Sequence, residues 1–136
     1  MIQYSTNVKA TLYEVWQQFV YKIEHPENFV PGVSDVIILE KNEEFVIRKM
    51  TITTPENTST VTENITFKPY KVRFQIIEHP KFEGYVDNDA RYISENETEI
   101  TFTMNWKDPI TNEEFNNIEM LKNAVNKTKD YIEQKR

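Results

Sequence analysis

The sequence contains no cysteine, which excludes disulfides, thiolate metal sites and a cysteine nucleophile. Glycine is nearly missing too, with only Gly32 and Gly84. What remains supplies no glycine-rich phosphate loop, no nucleophile elbow and no His-Glu-x-x-His metal motif. The two histidines, His25 and His79, each precede a proline, and neither has metal-ligand spacing. Both read as loop or helix-end residues, so no metal and no cofactor is expected. No apolar run approaches the ~18 residues of a membrane span. The opening Met1-Ile2-Gln3-Tyr4-Ser5 lacks a charged segment followed by an apolar one. No signal peptide is therefore expected, and a cytoplasmic location is the default. Basic residues are outnumbered 16 to 22, giving a net charge of −6. That charge repels phosphate backbones and argues against a nucleic-acid partner.

What is present is an ordinary globular balance. Of 136 residues, 38% are hydrophobic and 28% charged. Aromatics reach 12%, and much of that should be interior. A chain this long is expected to form one domain, residues 1–136, burying roughly 68% of its unfolded surface.

With so little glycine, the hydrophobic period carries the structural information. Ile2, Tyr4 and Thr6 alternate with Gln3, Ser5 and Asn7, which predicts a first strand. Thr11-Leu12-Tyr13-Glu14 is a capping-box pattern. It predicts a helix to about Glu24 with Leu12, Val15, Trp16, Phe19 and Ile23 on one face. Pro26 fits the opening of a further short helix, and Pro31-Gly32 punctuates the chain. After Gly32 the period becomes two. Strands are predicted around 36–39, 46–53, 61–67, 72–76, 84–94 and 99–106. The last is the clearest: Ile100, Phe102, Met104 and Trp106 form its dry face. Thr111-Asn112-Glu113-Glu114 repeats the capping-box pattern and predicts the start of a long helix. Ile118, Leu121, Val125, Thr128 and Ile132 give that helix its apolar stripe. Strand, helix, short helix, six strands and long helix define an α+β domain whose antiparallel meander forms a curved sheet around the C-terminal helix.

Turn lengths fix part of the register. Residues 54–57, Thr-Pro-Glu-Asn, read as a four-residue hairpin loop. Thr53 then faces Thr58, and Arg48 faces Glu63 on the otherwise apolar face. Directly opposed Cβ atoms lie ~4.5–5.5 Å apart, within reach of an ion pair. The two-residue turn at Pro69-Tyr70 places Glu63 opposite Ile76 and Ile65 opposite Phe74. A buried ion pair is a poor stability device, because desolvation costs several kcal/mol per ion. The pair is therefore a candidate contact for the polar group of a ligand. A structural bridge bracing the sheet is the competing role. Asp87-Asn88-Asp89 puts two carboxylates on one strand face, a weak cation-site pattern set against a solvent-facing strand. The turn near Asn96 fits two or three residues, so either face of strand 84–94 can be inside.

The residues carry a family resemblance. Val15-Trp16, Lys22, Pro26, Phe29-Val30-Pro31-Gly32-Val33, Arg48, Glu63 and Thr101-Phe102-Thr103-Met104-Asn105-Trp106 together resemble the AtaL-like group. That group is a branch of the START/birch-pollen-allergen-like superfamily. The resemblance implies a helix-grip fold of about seven strands, with a hydrophobic cavity between sheet and long helix. The superfamily includes lipid carriers, polyketide aromatase/cyclases, hormone receptors and co-chaperone activators. A small, mainly hydrophobic ligand is the expected partner, with Arg48, Glu63, Trp16, Met50, Phe74, Phe102 and Met104 as the expected contacts. Two other functions compete. One is a cyclase or dehydratase using Arg48 to polarise a carbonyl and Glu63 to move a proton. The other is a protein-interaction domain working through its outer surface.

Overall fold

Thr11 opens the first helix as its sequence context predicts. Its Oγ1 accepts the Glu14 N–H at 3.0 Å, and Glu14 Oε1 accepts the Thr11 N–H at 2.8 Å. The computed structural model describes residues 1–136. Its elements are β1 (Ile2–Val8), α1 (Leu12–Glu24), a 3-10 turn (Pro26–Asn28), β2 (Val33–Lys41), β3 (Phe45–Thr53), β4 (Thr58–Lys68), β5 (Lys71–Glu78), β6 (Glu83–Ser94), β7 (Glu97–Lys107) and α2 (Ile118–Gln134). The strands form one antiparallel sheet in the order β1-β7-β6-β5-β4-β3-β2. Strand β1 crosses to pair with β7, so the chain's first strand and last strand are neighbours. α2 packs against β1 and β7, and α1 against β6 and β7.

The hairpin registers follow the turn lengths. Thr53 pairs with Thr58 and Arg48 with Glu63. Glu63 pairs with Ile76, and Ile65 with Phe74. The turn at Glu95-Asn96 has two residues, with a bulge between Tyr92 and Ser94. That settles β6: Val86, Asn88 and Ala90 pair with Met104, Phe102 and Ile100 and lie on the inner face. Asp87 and Asp89 point outward. Arg73 grips Asp87 from the neighbouring strand at 2.8 and 2.9 Å, and Lys71 approaches both carboxylates. Those carboxylates are thus braced by cations on the outer face rather than gathered as a cation site.

Gly32 and Gly84 are required where they stand. Both have positive φ, +81° and +120°, and an added methyl would run into the carbonyl oxygens of Thr53 and Asn105 respectively. The Thr53 N–H also donates to Gly32 O at 2.9 Å, which fixes the Pro-Gly corner against the end of β3.

One predicted element moves. The long helix starts at Ile118, capped by Asn117, not near Thr111. Asp108 takes the N–H groups of Ile110 and Thr111 into its carboxylate. The Phe115 N–H donates to Trp106 O at 2.9 Å, and its ring packs on Phe82 and Trp106. These bonds, with an isolated bridge between Lys107 and Glu114, hold the segment before α2 against the end of β7. Once formed, α2 buries Leu121, Val125, Thr128 and Ile132 of the predicted stripe and leaves Ile118, at its first position, half-buried. Each such aliphatic side chain contributes roughly 1.5–3 kcal/mol.

Candidate functional site

The site begins with strand alternation. Val46, Arg48 and Met50 on β3, and Val61, Glu63 and Ile65 on β4, are all buried on the concave face. Arg48 and Glu63 are only 2% and 3% exposed. Arg48 Nη2 donates to Glu63 Oε1 at 2.7 Å. Its Nη1 donates to Ile23 O at 2.8 Å and to Lys22 O at 3.4 Å. Those carbonyls belong to the last turn of α1, where no helical N–H reaches them and the dipole favours a cation. Arg48 therefore ties the end of α1 to β4.

A second cation lies beside it. Position 22 falls three residues after Phe19, on the face of α1 that packs onto the sheet, so Lys22 is carried inward and is 4% exposed. Its Nζ donates to Asn88 Oδ1 at 2.6 Å and stands 4.3 Å from the Phe102 ring centre. Both cations stand over the Phe74 ring, Lys22 at 5.2 Å and Arg48 at 5.1 Å. Burial lowers the Lys22 pKa from 10.5 to about 7, helped by repulsion from Arg48 and opposed by the Glu63 charge. At neutral pH a large share of this amine is then unprotonated, whereas a surface lysine is almost wholly charged.

The cluster is incomplete. Arg48 Nε and Asn88 Nδ2 are buried and have no hydrogen-bond partner. On the same face, towards the β5–β6 loop, Trp106 Nε1 is also without one. His79 closes that loop, its Nδ1 accepting the Lys81 and Phe82 N–H groups at 3.0 Å. Burial lowers the pKa of its ring, against the pull of Glu63. No group of three His, Asp or Glu side chains is placed to hold a metal ion.

Of the residues expected from sequence, Arg48, Glu63, Phe74 and Phe102 come together around Lys22. Met50 and Met104 are buried on the same face, and Trp16 lies at its end, edge-on to Tyr70 at 5.9 Å. Sequence reasoning missed Lys22 and Asn88 as site residues. The signal for Lys22 was its helical spacing from Val15 and Phe19. For Asn88 turn length alone gave none: a two-residue Glu95-Asn96 turn with unbroken alternation would put Asp87 and Asp89 inside, and only the bulge between Tyr92 and Ser94 brings Asn88 opposite Phe102. Half-buried apolar residues, among them Ile52, Ile76, Phe82, Val86, Ile118 and Met120, pack around this core. Two surface depressions lie elsewhere. One of about 550 Å³ sits where β5 and β6 diverge, lined by Gln75, Ile76, His79, Phe82 and Tyr85 among others. The second, of about 380 Å³, flanks the β4–β5 turn. Neither is lined by any of the expected ligand contacts.

A seven-stranded curved sheet holding a long C-terminal helix, with α1 set between the first two strands, is the helix-grip fold of START-like proteins. The chain belongs to the AtaL family, described as acetylaranotin biosynthesis cluster protein L, which matches residues 3–135. No curated protein sequence matches. Among solved structures, the chain is similar to the Zhui aromatase/cyclase from Streptomyces sp. R1128. The TM-score is 0.80 at 14% identity, covering 98% of this chain and 93% of that one. A START superfamily protein from Mycobacterium smegmatis gives 0.75 at 11% identity, covering 99% and 98%. Major latex-like protein 151 from Panax ginseng gives 0.73 at 14% identity, covering 96% and 95%. Identities this low establish the shared fold and nothing finer. No helix is long and apolar enough to cross a membrane.

Proposed function

We propose that the chain, acting as one unit over residues 1–136, binds a small, mainly hydrophobic molecule between the sheet and α2. The apolar body of that molecule lies against Trp16, Met50, Phe74, Phe102 and Met104, and its polar end meets Arg48 and Glu63. The observation that carries this is the incomplete buried cluster. A bridge kept only to brace the sheet would satisfy its own donors, because each unmet buried one costs about 1–3 kcal/mol. Here Arg48 Nε and Asn88 Nδ2 are left without partners. Half-buried apolar residues packed around the core extend the apolar surface available to such a ligand. Native mass spectrometry of the purified chain, followed by dye displacement with an uncharged apolar fluorophore, tests the proposal. A bound species or saturable displacement supports it. The absence of any saturable binding across apolar probes sinks it.

One observation favours a second function, a cyclase or dehydratase. Lys22, with a pKa of about 7, sits beside Arg48 and Glu63 and is able to exchange protons at neutral pH. In that case Arg48 polarises a carbonyl and Glu63 moves a proton. Unchanged turnover of a poly-carbonyl substrate after Glu63→Gln would remove this alternative.

A further inference from the structure

The chemistry of the buried cluster specifies the end of the ligand that it receives, and this step rests on the binding proposed above. The unpartnered buried side-chain atoms of the concave face are Arg48 Nε, Asn88 Nδ2 and Trp106 Nε1. Each is a donor and none can accept. The remaining buried unpartnered atom, Asn64 Oδ1, is an acceptor. It lies on the opposite face of β4, one residue along from buried Glu63, and plays no part inside.

The donors are free for a structural reason. Asn88 turns its oxygen to Lys22 Nζ at 2.6 Å, which leaves its amide hydrogens facing away. Arg48 commits Nη2 to Glu63 and Nη1 to the end of α1, which leaves Nε. The charges have the same bias. Lys22 and Arg48 supply two positive charges and Glu63 one negative, and Arg48 Nη2 already engages Glu63 at 2.7 Å. An incoming amine would add a third cation and bring no acceptor. An alcohol would accept bonds but leave the surplus charge uncancelled. A carboxylate accepts several bonds and cancels the surplus charge.

We propose that the ligand is an apolar carboxylic acid whose carboxylate is held by Lys22 Nζ, Arg48 Nε and Asn88 Nδ2. Lys22 is then a proton-dependent latch. The charged groups acting on it are Arg48 from β3 and Glu63 from β4. His79, on the β5–β6 loop, responds to Glu63 but is held below its ordinary value by burial.

The test is calorimetric titration of the full chain with three matched probes, dodecanoate, dodecanol and dodecylamine, at about pH 6.5. Dodecanoate is expected to bind at least roughly tenfold tighter than dodecanol, with dodecylamine the weakest. Between about pH 6.5 and 8.5, dodecanoate affinity should fall roughly tenfold while dodecanol affinity stays level, since only the anion depends on protonated Lys22. Lys22→Met should bring dodecanoate to within about threefold of dodecanol and flatten the pH profile. Equal affinity for dodecanoate and dodecanol, or a flat pH profile in the unmodified chain, overturns the carboxylate and leaves apolar binding intact. Binding of none of the three overturns the proposed function itself.

Discussion

Lys22→Met should make the protein more stable, and by an amount that depends on pH. The lysine's ordinary pKa of 10.5 falls to about 7 in the folded chain. That gap is worth about 5 kcal/mol. Below about pH 7 the amine is charged in both states, and folding bears the whole cost of burying it. Between about pH 7 and 10.5 the unfolded chain holds the proton and the folded chain does not. Stability therefore rises with pH there, by up to about 1.4 kcal/mol per unit. Methionine places an apolar tip of similar length between Phe74 and Phe102, and it orphans Asn88 Oδ1 at a cost of about 1–3 kcal/mol. The net expectation is a variant more stable by roughly 2–4 kcal/mol at about pH 6. By about pH 9 that advantage should shrink by roughly 2–3 kcal/mol. Urea denaturation of both chains at matched pH values reads the difference directly. Parallel stability curves would refute the reasoning, because they would mean that Lys22 titrates alike folded and unfolded.

Removing one member of the Arg48–Glu63 pair should cost more than removing both. Glu63→Leu strands a buried guanidinium and should lose about 3–5 kcal/mol, whereas Arg48→Met with Glu63→Leu should lose less. The double variant still forfeits the bonds from Arg48 to Ile23 and Lys22, so it should not reach wild-type stability. A double-mutant cycle by denaturant unfolding measures this, and additive losses would contradict it. Gly84→Ala should destabilise by about 2 kcal/mol or more, since φ is +120° and the Asn105 carbonyl fills the methyl's place. A thermal midpoint within a degree or so of wild type would count against that backbone description. At Asp87, burial pushes the carboxyl pKa up, but Arg73 and Lys71 prevail and hold it below the usual range. A depressed carboxyl stabilises above its unfolded value and loses that contribution as pH falls through the folded one. Asp87→Asn should therefore weaken the protein at neutral pH and much less at about pH 3. An equal loss at both values would show that the ion pair is not the source.

Different parts of the molecule were legible in the sequence for different reasons. The Arg48–Glu63 juxtaposition came from counting across residues 54–57, because loop length fixes hairpin register and register fixes which side chains meet. The capping box at Thr11 is equally local, and it formed as written. The similar pattern at Thr111 failed because its competitors, one close by and one distant in sequence, lie outside the four-residue pattern. Asp108 gathers the local N–H groups while Phe115 packs on β7 and the β5–β6 loop. The inner face of β6 depended on a bulge between Tyr92 and Ser94 that alternation does not reveal. Lys22 was hidden by its own chemistry. A lysine on an amphipathic helix ordinarily reaches back to water, and only the oxygen of Asn88 and the rings of Phe74 and Phe102 make its burial tolerable.

The central claim is that the buried cluster on the concave face receives the polar end of a ligand. The most direct measurement is a nuclear magnetic resonance titration of the isotopically labelled chain with dodecanoate at about pH 6.5. The probes are the side-chain signals of Arg48 Nε–H and Asn88 Nδ2. Saturable shifts of both, together with the backbone amides of inner-face residues on β4 to β6, are the predicted result. Unmoved Arg48 and Asn88 signals, with changes confined to outer-face residues such as Gln75, Tyr85 and Asn105, would contradict it.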